Sequence, residues 1–149
     1  MEAAGSERAT LLAHGRAAQM ALLFAATHPE RVDSLVLLNG FARLSRADDY
    51  PVGMPAAVQA SVLEGDRRAL GNRAMATLLG PSLASRPGVR DWYGRVERYA
   101  AGPGTALAKM RAILELDDRQ VVPLVAAPTL VVQNQGDTLV RAGRAAARA

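Results

Sequence analysis

The chain has 149 residues, half of them hydrophobic, which suffices for one sizeable core and does not suggest two domains. It holds no cysteine and only two histidines, so disulfides, thiolate metal ligands and cysteine nucleophiles are excluded and no metal or cofactor site is expected. The net charge is +4, with Lys109 as the one lysine and the arginines scattered among aspartates and glutamates, a pattern that argues against nucleic-acid binding.

No apolar run approaches the eighteen residues of a membrane span, and the opening MEAAGSERAT lacks the basic-then-apolar layout of a signal peptide. The expectation is a cytoplasmic protein without membrane contact. Arg8 to Ala13 is short, apolar and followed at once by glycine, which predicts a buried strand ending in a tight turn. Ala17 to Thr27 has hardly a polar face, which predicts a buried helix, and His28-Pro29 stops it. Val32 to Leu38 predicts a second strand with apolar residues on both faces.

From Gly40 to about Asp118, proline, glycine and paired charges punctuate amphipathic stretches. Helices are predicted near Ala56 to Leu63, Asp66 to Leu79, Val89 to Ala100 and Thr105 to Leu116. Pro128 to Val132 predicts a third strand, Gly136-Asp137 a turn, and Leu139 to Ala149 a helix. Strand, helix, strand, helical insertion, strand, helix is the grammar of an α/β fold with a parallel sheet.

On these residues the chain resembles the α/β-hydrolase fold family. The run GSERATLLAHGRAAQMALLFAATHPERVDSLVLLNG looks like that family's strand, nucleophile elbow, helix and next strand, and VVPLVAAPTLVVQNQGDTLV looks like the strand leading to the triad acid. With FARLSRADDYP after the second strand, the chain is most similar to hydrolase-like domains found beside adenylate cyclases in actinobacteria. The resemblance implies a partial hydrolase fold: three parallel strands with crossover helices, a core of residues 1–40 and 119–149, and a helical cap over about 41–118. It also implies roles for three positions. Gly15 falls at the nucleophile, Arg16 supplies an oxyanion-hole N–H, and Asp137 stands at the triad acid.

The five elbow positions are Ala13-His14-Gly15-Arg16-Ala17, where the family pattern is G-x-S-x-G, so all three defining residues differ. Gly15 offers no oxygen, and the triad histidine expected after Asp137 is not reached before Ala149. The expectation is a degenerate, truncated hydrolase without activity. The alternatives are a non-catalytic binding or regulatory module that pairs with a partner such as a cyclase-associated protein, and an esterase completed by other segments. Ser6, Ser34, Ser45, Ser61, Ser82 and Ser85 all lack an elbow context.

Other features read as structural. His14 packs at the elbow, His28 sits solvated at a helix C-terminus, and Asp48-Asp49 belongs to a solvated loop. Gly102-Pro-Gly104-Thr105 lacks the lysine of a phosphate loop and makes Thr105 an N-cap. Trp92, Tyr93 and Tyr99 read as a core stripe, and Arg141, Arg144 and Arg148 as one exposed helix side. Right-handed crossovers put both connecting segments on one face of the sheet and leave about six aliphatic side chains bare on the other. That face and the first strand's edge are expected to bind a second copy or a complementary protein.

Overall fold

The structure, a computed structural model, describes residue 3, residues 5–69 and residues 81–134. Among the described residues three strands form one sheet: β1 (Ala9–His14), β2 (Val32–Leu38) and β3 (Thr129–Val132), in the order β1-β2-β3 and parallel throughout. The first connection is helix α1 (Ala17–Thr27) followed by a single 3-10 turn at Pro29–Arg31. Both the β2 and the α1 limits agree with the apolar pattern. Pro128 stands just outside β3, where its missing N–H costs nothing, and its carbonyl accepts from the Leu35 N–H at 2.9 Å.

Two compact units are distinguished by their internal contacts, one of Met1–Leu44 with Leu116–Asn134, the other of Ser45–Glu115. In the first unit the core lies between α1 and one face of the sheet. Ala18, Ala21, Leu22 and Ala25 of α1 meet Ala13, Leu35 and Leu37, while Val122 and Val125, in and after a 3-10 turn, pack alongside. Small residues on α1 let helix and sheet come close. At Gly40, just after β2, an added Cβ would lie 2.6 Å from the Ala18 Cβ.

In the second unit α2 (Ala56–Ala69) packs on α5 (Pro103–Glu115), and α3 (Pro81–Ala84) on α4 (Val89–Ala100). The loop before α2 is tight. Ala47 and Tyr50 bridge around Asp48-Asp49, and Ser45 Oγ donates to Leu114 O at 2.5 Å.

Several expectations need correction. The two helices expected on either side of Glu64-Gly65 are one continuous helix through Ala69, because one glycine costs a helix only about 1 kcal/mol. Thr105 is not an N-cap: α5 starts at Pro103, whose fixed φ suits a first helical turn, and Gly102 O accepts from the Ala106 N–H at 3.0 Å. The aromatic residues of α4 are not a core stripe, since Trp92 and Tyr99 are 56% and 91% exposed. Helix α1 is buried on one side only, with Met20 77% exposed. The end of the expected 66–79 helix and the expected 139–149 helix, with Arg141, Arg144 and Arg148, lie outside the described residues.

The sheet's two faces differ as the strand pairings require. Leu11, Leu35 and Thr129 form one row across the sheet and Ala13, Leu37 and Val131 the next, both on the α1 side. The intervening rows, Leu12-Val36-Leu130 and His14-Leu38-Val132, face the other way. Among the described residues that face carries five aliphatic side chains, of which Leu12 and Leu130 are 72% and 59% exposed.

Candidate functional site

Where β1 meets α1 the chain turns in two residues. Gly15 adopts φ +58°, in the left-handed region, and Arg16 is already helical at φ −64°, ψ −22°. The turn is fixed by backbone bonds. The Gly15 N–H donates to Leu38 O at 2.8 Å, and Gly15 O and Arg16 O accept from the Ala18 and Gln19 N–H groups at 3.1 and 3.2 Å. This is a strand-to-helix elbow that projects position 15 at the end of the sheet, where a side chain there would be presented to solvent.

An ideal Cβ built on Gly15 meets nothing within 4 Å, so glycine is not required there by crowding. It is favoured by the positive φ, which costs an L-residue about 1–2 kcal/mol. The two flanking changes also fit. Ala13 points its methyl into the core and Ala17 is exposed, so neither methyl obstructs the turn.

Arg16, the expected oxyanion position, starts the helix, which has no side-chain cap. Its N–H has no acceptor among the described residues and lies at the positive end of the α1 dipole. The Arg16 side chain is exposed. Asp137 lies outside the described residues, so Gly15 and Arg16 are the expected site residues whose positions are defined.

Neither histidine supplies a base at the elbow. The exposed His14 belongs to the His14-Leu38-Val132 row on the face away from α1. His28 caps the far end of α1, about 16 Å along an eleven-residue helix, stacked on Phe24 at 4.8 Å and bonded through Nδ1 to Thr27 Oγ1. Most serines are engaged in local structure: Ser34 pairs with Thr10, Ser45 with Leu114 O, Ser6 with Arg8 O and Ser85 with Ser82 O. No group of three or more metal-ligating side chains occurs among the described residues.

Around the elbow, polar side chains hold the strand ends. Gln19, buried on α1, donates Nε2 to Ala42 O at 3.2 Å. Asn39, at φ +49°, accepts the Asn134 N–H on Oδ1 at 2.8 Å while its own N–H donates to Val132 O at 2.8 Å. Sequence reasoning passed over both residues. Gln19 was the one polar residue inside an otherwise apolar helix that ends at Thr27, a signal that it needed a buried partner.

Asp117 forms a further cluster where the chain re-enters the first unit. Its carboxylate takes an ion pair from Arg43 and another from Arg119 at 2.8 Å, and Asp118 N–H donates to Ala42 O at 2.9 Å. Hydrogen bonding from Arg119, with Arg43 adding to it against some burial, holds the Asp117 carboxyl well below the usual carboxylate range. Asp118 shifts the other way, raised by burial and by the charge of Asp117.

A three-stranded parallel sheet with a strand-to-helix elbow at its end and a helical insertion after the second strand defines a class of folds built to present one residue at that elbow. The sequence model of the alpha/beta hydrolase fold matches residues 1–148, and the chain belongs to that family. The pimeloyl-[acyl-carrier protein] methyl ester esterase of Neisseria meningitidis serogroup C is 31% identical over 123 residues, 80% of this chain and 48% of that protein. A hydrolase from Oleispira antarctica and a bromoperoxidase from Bacillus anthracis share the fold, each with a TM-score of 0.80 over 97% of this chain, at 15% and 17% identity. They are covered over 54% and 56% of their lengths, so the chain spans about half of these relatives. No helix among the described residues is long and apolar enough to cross a membrane.

Proposed function

We propose that this chain is an α/β-hydrolase-like protein that performs no serine-type ester hydrolysis by itself. One observation carries the reading: position 15 keeps the elbow's left-handed backbone but bears a hydrogen where the reaction needs an oxygen. Without that atom no acyl-enzyme forms. Two further observations support it. Neither His14 nor His28 is placed as a base for position 15, and the six serines sit outside the elbow. The Arg16 N–H would polarise a carbonyl oxygen, but one donor without a nucleophile does not turn substrate over.

The related esterase cleaves a methyl ester by its name, so esters are the substrate class for the test. Purified chain is incubated with p-nitrophenyl acetate and butyrate, and separately with a fluorophosphonate. The expected result is hydrolysis at the buffer rate and no covalent adduct by intact-mass measurement. A stoichiometric adduct on any serine defeats the proposal.

A further inference from the structure

Helix α1 begins without a side-chain cap, so its first turn needs an anchor from elsewhere. Gln19, in that turn, provides one. Its N–H donates to Arg16 O at 3.2 Å, and its side-chain Nε2 donates to Ala42 O, also at 3.2 Å. Gln19 is 4% exposed and Ala42 2%, so a broken bond would leave a buried amide without a partner.

The same carbonyl is held from a second direction by the chain returning from the insertion. The Asp118 N–H donates to it at 2.9 Å. One carboxylate steers both peptides of that bond. Arg43 and Asp117 stand opposite each other in an isolated antiparallel bridge, and the Arg43 guanidinium pairs with the Asp117 carboxylate, which fixes the peptide that carries Ala42 O. On the return side Asp117 Oδ1 accepts the Arg119 N–H at 3.3 Å, and Arg119 Nε and Nη2 close on the two carboxylate oxygens at 2.8 Å each. That fork fixes the turn which aims the Asp118 N–H. Each lone pair of Ala42 O then has one donor.

We propose that Gln19 is a positioning residue through which the root of the insertion sets the geometry of the elbow. The Asp117 clasp orients the Ala42 carbonyl, and the carbonyl holds the first turn of α1 through Gln19. When the clasp opens, the peptide between Ala42 and Arg43 turns, and the buried amide of Gln19 follows it or goes unpaired. In either case the Ala18 and Gln19 N–H bonds to Gly15 O and Arg16 O loosen, and with them the left-handed turn at Gly15 and the direction of the Arg16 N–H. Leu35 supplies an internal reference: it lies in the middle of β2, 1% exposed, with its N–H donated to Pro128 O.

The test is residue-resolved amide hydrogen exchange of the 149-residue chain, followed by nuclear magnetic resonance. Asp117→Asn and Arg43→Gln each remove the ionic clasp, one from either side. Gln19→Met keeps the length of the side chain and removes its donor. In each clasp variant the amides at positions 15, 18 and 19 are expected to exchange about tenfold faster relative to Leu35 than in the wild type. In the Gln19→Met background, Asp117→Asn should leave that ratio unchanged. A general loss of stability speeds Leu35 together with the elbow and does not move the ratio. Both clasp variants retain Gln19, so they decide the proposal even where Gln19→Met does not fold. Elbow amides that keep pace with Leu35 in the clasp variants, or that respond to Asp117→Asn equally with and without Gln19, would overturn it.

Discussion

At Gly15 the lack of a side-chain oxygen and the ease of the turn come from the same residue. A serine held at φ +58° carries backbone strain that the family's chemistry requires, and glycine releases it. Gly15→Ser is therefore expected to fold, because its Cβ meets nothing within 4 Å, but to be less stable by about 1–2 kcal/mol in urea titrations. It should remain inactive on p-nitrophenyl esters, since no base faces position 15 in the described chain. The same variant joined to flanking segments of a close homologue is the informative comparison. Equal hydrolysis by both would show that a base near the elbow has been overlooked.

Among the elements, α1 does most to position the site. Its alanines draw it onto the sheet, and the closest approach falls at Gly40, where chain leaves β2. Gly40→Ala sets a methyl 2.6 Å from the Ala18 Cβ, and repulsion at that distance must shift helix or strand end. The expected loss is about 1–3 kcal/mol in thermal or urea unfolding. Ala18→Gly in the same chain removes the colliding atom and should recover most of the loss attributable to the clash, a coupling that a double-mutant cycle measures directly. Additive losses would mean that α1 does not sit where it is placed here.

For the molecule as a whole, the insertion between β2 and β3 departs after Leu44 and returns at Leu116, and Asp117 binds the two crossings together through Arg43. The folded-state pKa of Asp117 is depressed, so its contribution is present above the unfolded value near 3.9 and is lost as pH falls toward the folded one. Solvent screens this partly exposed pair, which limits its worth to about 1 kcal/mol. Asp117→Asn should lower the urea midpoint at pH 7, and its deficit against wild type should shrink as pH drops below about 4. The raised pKa of Asp118 acts in the opposite sense and relaxes with the removal of Asp117, so the deficit at pH 7 is a net value. A deficit independent of pH would assign Asp117 a packing role instead.

The sequence by itself determined the local elements and the chemistry of the elbow. Largely apolar runs at Val32–Leu38 and Ala17–Thr27, each stopped by turn residues, leave the chain few alternatives, and the absence of a side-chain oxygen on Gly15 is a covalent fact that no folding changes. What only the tertiary structure decided was which apolar residues are covered. Met20, Trp92 and Leu12 are as hydrophobic as Leu22, Leu35 and Leu37, yet the first three are exposed and the last three buried. Hydropathy fixes the preference of a side chain for a nonpolar neighbour, but the neighbour is supplied by strand order, by a close approach such as Gly40 on Ala18, and by pairing partners distant in sequence. The Arg43–Asp117 closure was hidden for the same reason, since it depends on a contact between residues that local pattern cannot connect, whereas α2 runs on through Gly65 because one glycine costs a helix little.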